Sequence, residues 1–181
     1  MNSIQIQYYS TDFGELILGS FQEQLCLCDW RYRKQRESVD SRIQKGLNAK
    51  YIEQSNDVIS LTIKQLEEYF INKRENFEIP LLFVGTDFQK SVWNALLAIE
   101  YGSTSTYLKL SETLGNKEAI RAVANANGAN ALSIIIPCHR IIGSDGDLIG
   151  YAGGLKAKEK LLKLENPAFW KKQNLQLSLG F

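Results

Sequence analysis

The chain holds a single histidine and three cysteines. Together they are too few to build a convincing structural zinc site. Cys26 and Cys28 are separated by one residue, so the redox logic of C-x-x-C does not apply. An odd cysteine count argues for free thiols in a reducing compartment. No apolar run approaches the length of a membrane-spanning helix, and the polar N-terminus lacks the pattern of a signal peptide. The expectation is a cytoplasmic protein, or a nuclear one if the source is eukaryotic, with no membrane partner. One-sided charge is also missing: 21 basic against 20 acidic residues leave a formal charge of +1. Any nucleic-acid surface must therefore come from local clustering. What remains is an ordinary globular composition, 44% apolar and 23% charged, long enough for one or two small domains.

The most informative stretch is Ile134-Ile135-Ile136-Pro137-Cys138-His139-Arg140. The isoleucine run is β-branched and uncharged, which reads as a buried strand. Pro137 has no N–H for a ladder and ends it. Proline suits the start of a helical turn, which would place Cys138 where the local field favours thiolate. Arg140 adds a nearby cation. Chain neighbours do not face each other, so His139 would reach the thiol through a bridging water. The plainer reading of Cys138 is a small buried hydrophobe.

In the first half, Ile4 to Tyr9 alternates as a half-buried strand, Ser10 to Gly14 is turn chemistry, and Glu15 to Gly19 returns. Gln24 to Trp30 reads as a third strand, with Leu25, Leu27 and Asp29 on one face and Cys26, Cys28 and Trp30 on the other. A small antiparallel meander follows, with both cysteines as packing residues. The basic run Arg31 to Arg36 reads as a solvated loop. Ser38 to Ala49 is weakly helical. Ser55-Asn56-Asp57 caps a better helix, with Val58, Leu61, Thr62, Leu66, Tyr69 and Phe70 near helical spacing. Phe77 to Val84 is extended.

Gly85-Thr86-Asp87 marks a boundary and divides the chain into residues 1–84 and 85–181. Thr86 or Asp87 caps a helix whose core stripe is Phe88, Val92, Trp93, Leu96, Leu97 and Ile99. Tyr107 to Leu114, Gly115-Asn116, and Lys117 to about Ala126 read as helix, turn, helix. Ile120, Val123 and Ala124 form the second helix's inner face. Its outer face carries Glu118, Arg121, Ala122, Asn125 and Ala126. One long cation among small residues suits a minor groove with little sequence readout, not a major-groove code. Asn127-Gly128 is a turn pair. Tyr151 offers a flat aromatic face, and Gly153 and Gly154 permit close backbone approach. Lys156 to Leu164 is a last helix resting on Leu155, Leu161, Leu162 and Leu164, with Glu165 at its end. Leu175 to Phe181 is a loose extra strand or disordered.

Pro137-Cys138-His139-Arg140, then Gly150-Tyr151-Ala152-Gly153-Gly154-Leu155, resembles the signature of the O6-alkylguanine-DNA alkyltransferases. Phe88-Gln89-Lys90-Ser91-Val92-Trp93 and Arg121-Ala122-Val123 fall where that family has similar residues. The resemblance implies an α+β fold. Its first unit is a ribonuclease-H-like support domain with a small antiparallel sheet. Its second is a mostly helical, winged-helix-like domain with a helix-turn-helix. It implies a single alkyl transfer from O6-alkylguanine to Cys138, with no metal and no cofactor; action on O4-alkylthymine stays open. Glu165 would orient His139. Tyr107 would crowd the phosphate beside the lesion and donate toward the guanine ring. Arg121, with Ala122, Asn125 and Ala126, would enter the minor groove of double-stranded DNA and replace the flipped nucleotide. Asn130 would be the hinge asparagine, and Ile141, Tyr151, Ala152 and Gly153 would line the substrate pocket. The partner is lesion-bearing DNA bound by a monomer, with cooperativity along DNA left open. Ala131, Glu100 and Asn116 stand where the family has prolines, and Ala152 where many members have serine. Competing readings are a non-catalytic lesion sensor, a Cys-His hydrolase and a plain helix-turn-helix regulator.

Overall fold

The computed structural model describes residues 2–168; the expected extra strand at Leu175 to Phe181 lies outside them. Three strands form the expected meander: β1 (Ser3–Thr11), β2 (Gly14–Phe21) and β3 (Gln24–Trp30). Tyr8 pairs with Ile17 across the first hairpin and Leu18 with Cys28 across the second. Alternation along β3 breaks at a bulge. Gly19 pairs with Leu27 and Ser20 with Leu25, so Cys26 is the extra residue. One inserted residue re-phases a strand. Leu25 therefore joins Cys28 and Trp30 in one core cluster while Cys26 and Leu27 join another, correcting the expected faces. Both cysteines are buried in the core and unpaired, as expected.

The sheet is mixed, not purely antiparallel. Helix α1 (Arg36–Leu47) carries the chain across to β4 (Lys50–Glu53), which pairs parallel to β1 in the order β3-β2-β1-β4. The helix ends at Asn48 in the left-handed region, φ 46°, a conformation asparagine tolerates. Helix α2 (Asp57–Phe70) begins at Asn56, whose side chain accepts from the Ile59 N–H. Its buried face includes Ile59, Leu66 and Tyr69, whereas Leu61 is exposed.

Helix α3 (Asp87–Leu97) starts with a reciprocal capping box between Thr86 and Gln89. Val92, Trp93 and Leu96 are buried; Phe88 and Leu97 are more than a third exposed, so the stripe is narrower than its apolar content implied. β5 (Ser105–Thr106) leads into α4 (Tyr107–Thr113), capped by Thr106. A positive φ of 79° at Gly115 turns the chain toward a short 3-10 turn, Lys117–Ala119, and α5 (Ile120–Gly128). α5 runs through Asn127-Gly128, which therefore end a helix and do not form a free turn. Val123 seals its inner face, while Ile120 is exposed. A 3-10 turn over Cys138–Arg140 precedes β6 (Ile141–Ile142), which pairs parallel with β5. α6 (Gly154–Glu165) closes the fold, buried at Leu161 and Leu162 but open at Leu155.

The architecture is α+β, a small sheet unit followed by a mostly helical unit. The two share a core: Leu16, Leu66, Val92, Ile136 and Leu161 belong to one buried cluster. Among the described residues no helix is long and apolar enough to cross a membrane.

Candidate active site

Ile134 to Ile136 is buried as expected, but it is a tight turn and not a strand. Ile134 sits at φ 73°, a region that β-branched residues rarely enter, costing about 1–3 kcal/mol. The turn persists because its backbone is satisfied locally. Ile136 N–H donates to Leu132 O at 2.8 Å. Ile136 O accepts from Asn130 Nδ2 at 3.1 Å and from the Cys138 N–H at 2.7 Å. Asn130 thus does the work that ladder partners do in a sheet, and its Oδ1 accepts from Leu132 N–H at 2.9 Å.

Cys138 lies 3% exposed on the wall of a cavity of about 610 Å³. Its Sγ accepts from Asn130 Nδ2 at 3.2 Å. Burial pushes the thiol pKa up; the Asn130 hydrogen bond and the charges of Lys158 and Arg33 oppose this, while Asp29 adds to it. The expected help from a helical turn is small, because the Cys138 N–H is already committed to Ile136 O. Arg140 is not the supporting cation either. Its guanidinium is turned to Glu165, with Nε to Oε2 at 2.9 Å and Nη2 to Oε1 at 3.0 Å. Lys158 is the relevant one: it is fully buried, donates to Ile141 O and Ile149 O, and burial brings its pKa down to about 8.

His139 is fully buried, with Nε2 2.8 Å from Glu165 Oε1. Burial alone favours the neutral acid at Glu165. The hydrogen bonds and charges of His139 and Arg140 outweigh it and hold the carboxyl well below its usual range. Burial also depresses the imidazole pKa, with Glu165 partly opposing. A neutral ring facing a carboxylate carries its proton on Nε2. Its Nδ1 is buried without a hydrogen-bond partner among the described residues, so that lone pair is the basic atom.

The cavity brings together Tyr107, Asn130, Cys138, Tyr151, Ala152 and Gly153. Tyr107 Oη accepts from Asn127 Nδ2 at 3.2 Å, which leaves the phenol proton free to donate elsewhere. Burial, and then the charge of Cys138, raise its pKa. Tyr151 stands edge-on to Trp30 and to His139, with centroids 5.8 and 6.2 Å apart. A Cβ on Gly153 would collide with the Trp30 indole. Ile141 does not line the cavity. It is fully buried in β6, its N–H bonded to Cys138 O and its carbonyl to Lys158. Arg121, Ala122 and Asn125 are exposed on α5. Ala126 is not: it is 3% exposed in the core, and its carbonyl accepts from Trp93 Nε1 at 2.9 Å. Helical spacing turns it inward with Val123, so it leaves the exposed set.

The basic run after β3 is the largest departure from expectation. Arg33 is 7% exposed and donates to Asp29 Oδ2 at 2.7 Å, Asn130 O at 2.9 Å and Gly128 O at 2.5 Å. Arg42 donates to Ala129 O at 2.6 Å. Asp29, fully buried, also accepts from Ser133 Oγ at 3.0 Å and Arg36 Nη1 at 2.9 Å. Arginines of the first unit therefore cap the C-terminal carbonyls of α5, where a positive charge is favoured, and seat Asn130 against the thiol. Sequence reasoning missed Asp29, Arg33, Trp30 and Lys158. The available signal was an aspartate inside an otherwise apolar strand, followed by arginine four residues on. We expect Arg33→Met to lower unfolding stability by about 3–5 kcal/mol, since it strips a partner from a buried carboxylate. Urea unfolding checks this: the midpoint should fall with the slope unchanged.

Both halves of the chain match known family models. Residues 4–83 match the ribonuclease-like domain of 6-O-methylguanine DNA methyltransferase, and residues 87–167 its DNA binding domain. A methylated-DNA–protein-cysteine methyltransferase of Methanosarcina acetivorans is 40% identical over 158 residues, covering 87% of this chain and 95% of that protein. The protein of that name from Methanosarcina barkeri is 58% identical over 102 residues, 56% of this chain and 65% of its own length. A crystal structure of Mycobacterium tuberculosis OGT in complex with DNA superposes with a TM-score of 0.77 at 34% identity, covering 90% of this chain and 93% of that one. A thiol beside a carboxylate-held histidine, in a cavity between a sheet unit and a helical unit, fits the class of protein-cysteine methyltransferases these comparisons name. The chain belongs to the 6-O-methylguanine DNA methyltransferase family.

Proposed function

We propose that the protein repairs DNA by moving an alkyl group from guanine O6 to Cys138, once per molecule. The observation that carries this reading is Asn130 Nδ2 on Cys138 Sγ at the wall of a cavity roomy enough for a nucleobase, with the next residue, His139, held by the buried Glu165 carboxylate. Residues 1–84 serve as a support unit that also walls the cavity, and 85–181 as the DNA-binding and transfer unit. Helices α4 and α5 form the helix-turn-helix that meets the minor groove. Arg121, exposed near the start of α5, enters the stack as the lesion is flipped out, with Ala122 and Asn125 permitting close approach. Unpairing costs a few kcal/mol, less for a lesion that pairs badly.

His139 Nδ1 takes the thiol proton through a bridging water. The thiolate attacks the alkyl carbon, the S–C bond forms and the C–O6 bond breaks. The electron pair returns to the guanine, whose ring nitrogen takes a proton from the Tyr107 hydroxyl; the imidazolium returns a proton to the phenolate through solvent. The product is a thioether. The expected consequence is stoichiometric exhaustion. With a duplex bearing O6-methylguanine in excess, lesion loss should stop at one per protein. Continued loss beyond that point would rule out a spent thioether. The hydrolase reading is disfavoured by the Cys138 N–H, which is bonded to Ile136 O at 2.7 Å and cannot serve an oxyanion.

A further inference from the structure

Glu165 has a partner that the sequence pattern did not announce. Tyr69 belongs to α2, in the sheet unit, and is fully buried. Its hydroxyl donates to Glu165 Oε1 at 2.7 Å. The same oxygen receives His139 Nε2 at 2.8 Å and Arg140 Nη2 at 3.0 Å. The other oxygen receives Arg140 Nε at 2.9 Å and the Gly102 N–H at 3.3 Å. The Tyr69 ring is wedged among aromatic neighbours, with centroids 5.4 Å from Phe77, 5.6 Å from Phe70 and 6.1 Å from Tyr101. It cannot reorient without unpacking them. A phenol buried this deeply needs a hydrogen bond, and this one is spent on the carboxylate that holds the histidine.

We infer that Tyr69 is a positioning residue for the alkyl transfer: by donating to the Glu165 oxygen that holds His139, it fixes the ring that takes the thiol's proton. This rests on the reading of Cys138 as the acceptor of the alkyl group. The physical reason is competition for one oxygen. Each donor on Oε1 draws off negative charge and weakens the oxygen's pull on the others. Without the phenol, Glu165 attracts a charged imidazolium more strongly, and His139 holds a second proton to higher pH. On the acid limb a smaller share of the rings then keeps the Nδ1 lone pair free. The other groups facing the pair keep their places when the hydroxyl goes. Arg140 lies on the same turn, Lys158 on α6, Tyr101 after α3 and Tyr151 on the cavity wall. Arg140 and Lys158 oppose the imidazolium in both proteins, so the difference isolates the phenol.

The test is Tyr69→Phe in the full chain, which removes one oxygen and keeps the ring. Three quantities are followed against pH: single-turnover transfer from a duplex bearing O6-methylguanine, alkylation of Cys138 by iodoacetamide, and the NMR titration of the imidazole. The chain has one histidine, so that signal needs no assignment. The acid limb of transfer should move up by about 0.5–1 pH unit, a rate loss of roughly 3- to 10-fold on that limb. It should recover at alkaline pH, and the imidazole midpoint should move the same way. Site-specific 3-fluorotyrosine at position 69, a stronger donor, should move both in the opposite direction and serves as the readout if Tyr69→Phe folds poorly. A uniform rate loss at every pH with an unmoved imidazole midpoint, or no change at all, overturns the inference. If the wild-type protein transfers no alkyl group, the functional reading fails, and the imidazole and iodoacetamide curves still decide whether Tyr69 governs His139.

Discussion

Cys138→Ser should abolish alkyl transfer while leaving duplex binding intact. Serine is close to cysteine in shape, so the cavity wall and the Asn130 contact are kept, and the buried hydroxyl costs about 1–3 kcal/mol where its proton goes unpaired. The chemistry is lost because a hydroxyl is far harder to ionise than a thiol, and this site already penalises an anion by burial. Asn130, Lys158 and Arg33 offset only part of that penalty for the thiol, and the deficit is far larger for an alcohol. The check is paired: transfer measured by lesion disappearance, and affinity measured on the same lesion duplex by fluorescence anisotropy. Loss of both together would mean that Cys138 holds the fold or the DNA interface and not the reaction.

Glu165→Gln carries the second largest expected effect, on stability and rate at once. Among the described residues, the Glu165 carboxylate is the one that pairs with the nearly buried Arg140 guanidinium. Breaking such a pair leaves an uncompensated charge and costs about 3–5 kcal/mol. Transfer should fall by roughly 10²- to 10³-fold, the scale of a general-base contribution, because the amide no longer fixes the imidazole tautomer. The pH dependence has a definite sign. Glu165 titrates lower in the folded protein than in the unfolded chain. Its stabilisation is therefore complete above the unfolded value of about 4.3 and fades as the pH falls toward the folded one. The gap in melting temperature between wild type and variant should narrow below about pH 4, as the wild-type carboxylate begins to protonate. A gap that failed to narrow below about pH 4 would contradict the charged pair.

The parts of the fold that could be read in advance are those written in local chemistry. Thr86 with Gln89 and Asn56 before Asp57 announce helix starts, because a cap uses residues within one turn. The meander was legible from two-residue alternation, up to the bulge at Cys26, which no local signal marks. Residue type misled where tertiary contacts override propensity. Three isoleucines suggest a strand, yet Asn130, four residues upstream, supplies the hydrogen bonds that let Ile134 adopt a left-handed turn. The parallel strand β4 is short and mostly exposed, with Tyr51 its most covered residue, so it carries no hydrophobic period to find.

The site was legible to a comparable degree and for the same reason. Cys138, His139, Tyr107, Asn130 and Tyr151 sit in or beside recognisable local motifs. Ala126 was misplaced because small residues look alike on the inner and outer faces of a helix. Asp29 and Arg33 left only their four-residue spacing as a signal and Tyr69 left none, since their other partners lie about 100 residues away in the chain. A charged run reads as solvated until something distant buries it. These residues make the sheet unit a contributor to the reactive geometry: it clamps the loop that carries Asn130 and supplies a donor to Glu165.

The most direct measurement is to locate the alkyl group. After reaction with a duplex carrying isotopically labelled O6-methylguanine, the protein is digested and its cysteine peptides are weighed. The account predicts one label per molecule, all of it on the peptide containing Cys138, with Cys26 and Cys28 unlabelled. Label on any other residue, or a correctly folded protein left unlabelled while bound to the lesion, would contradict it.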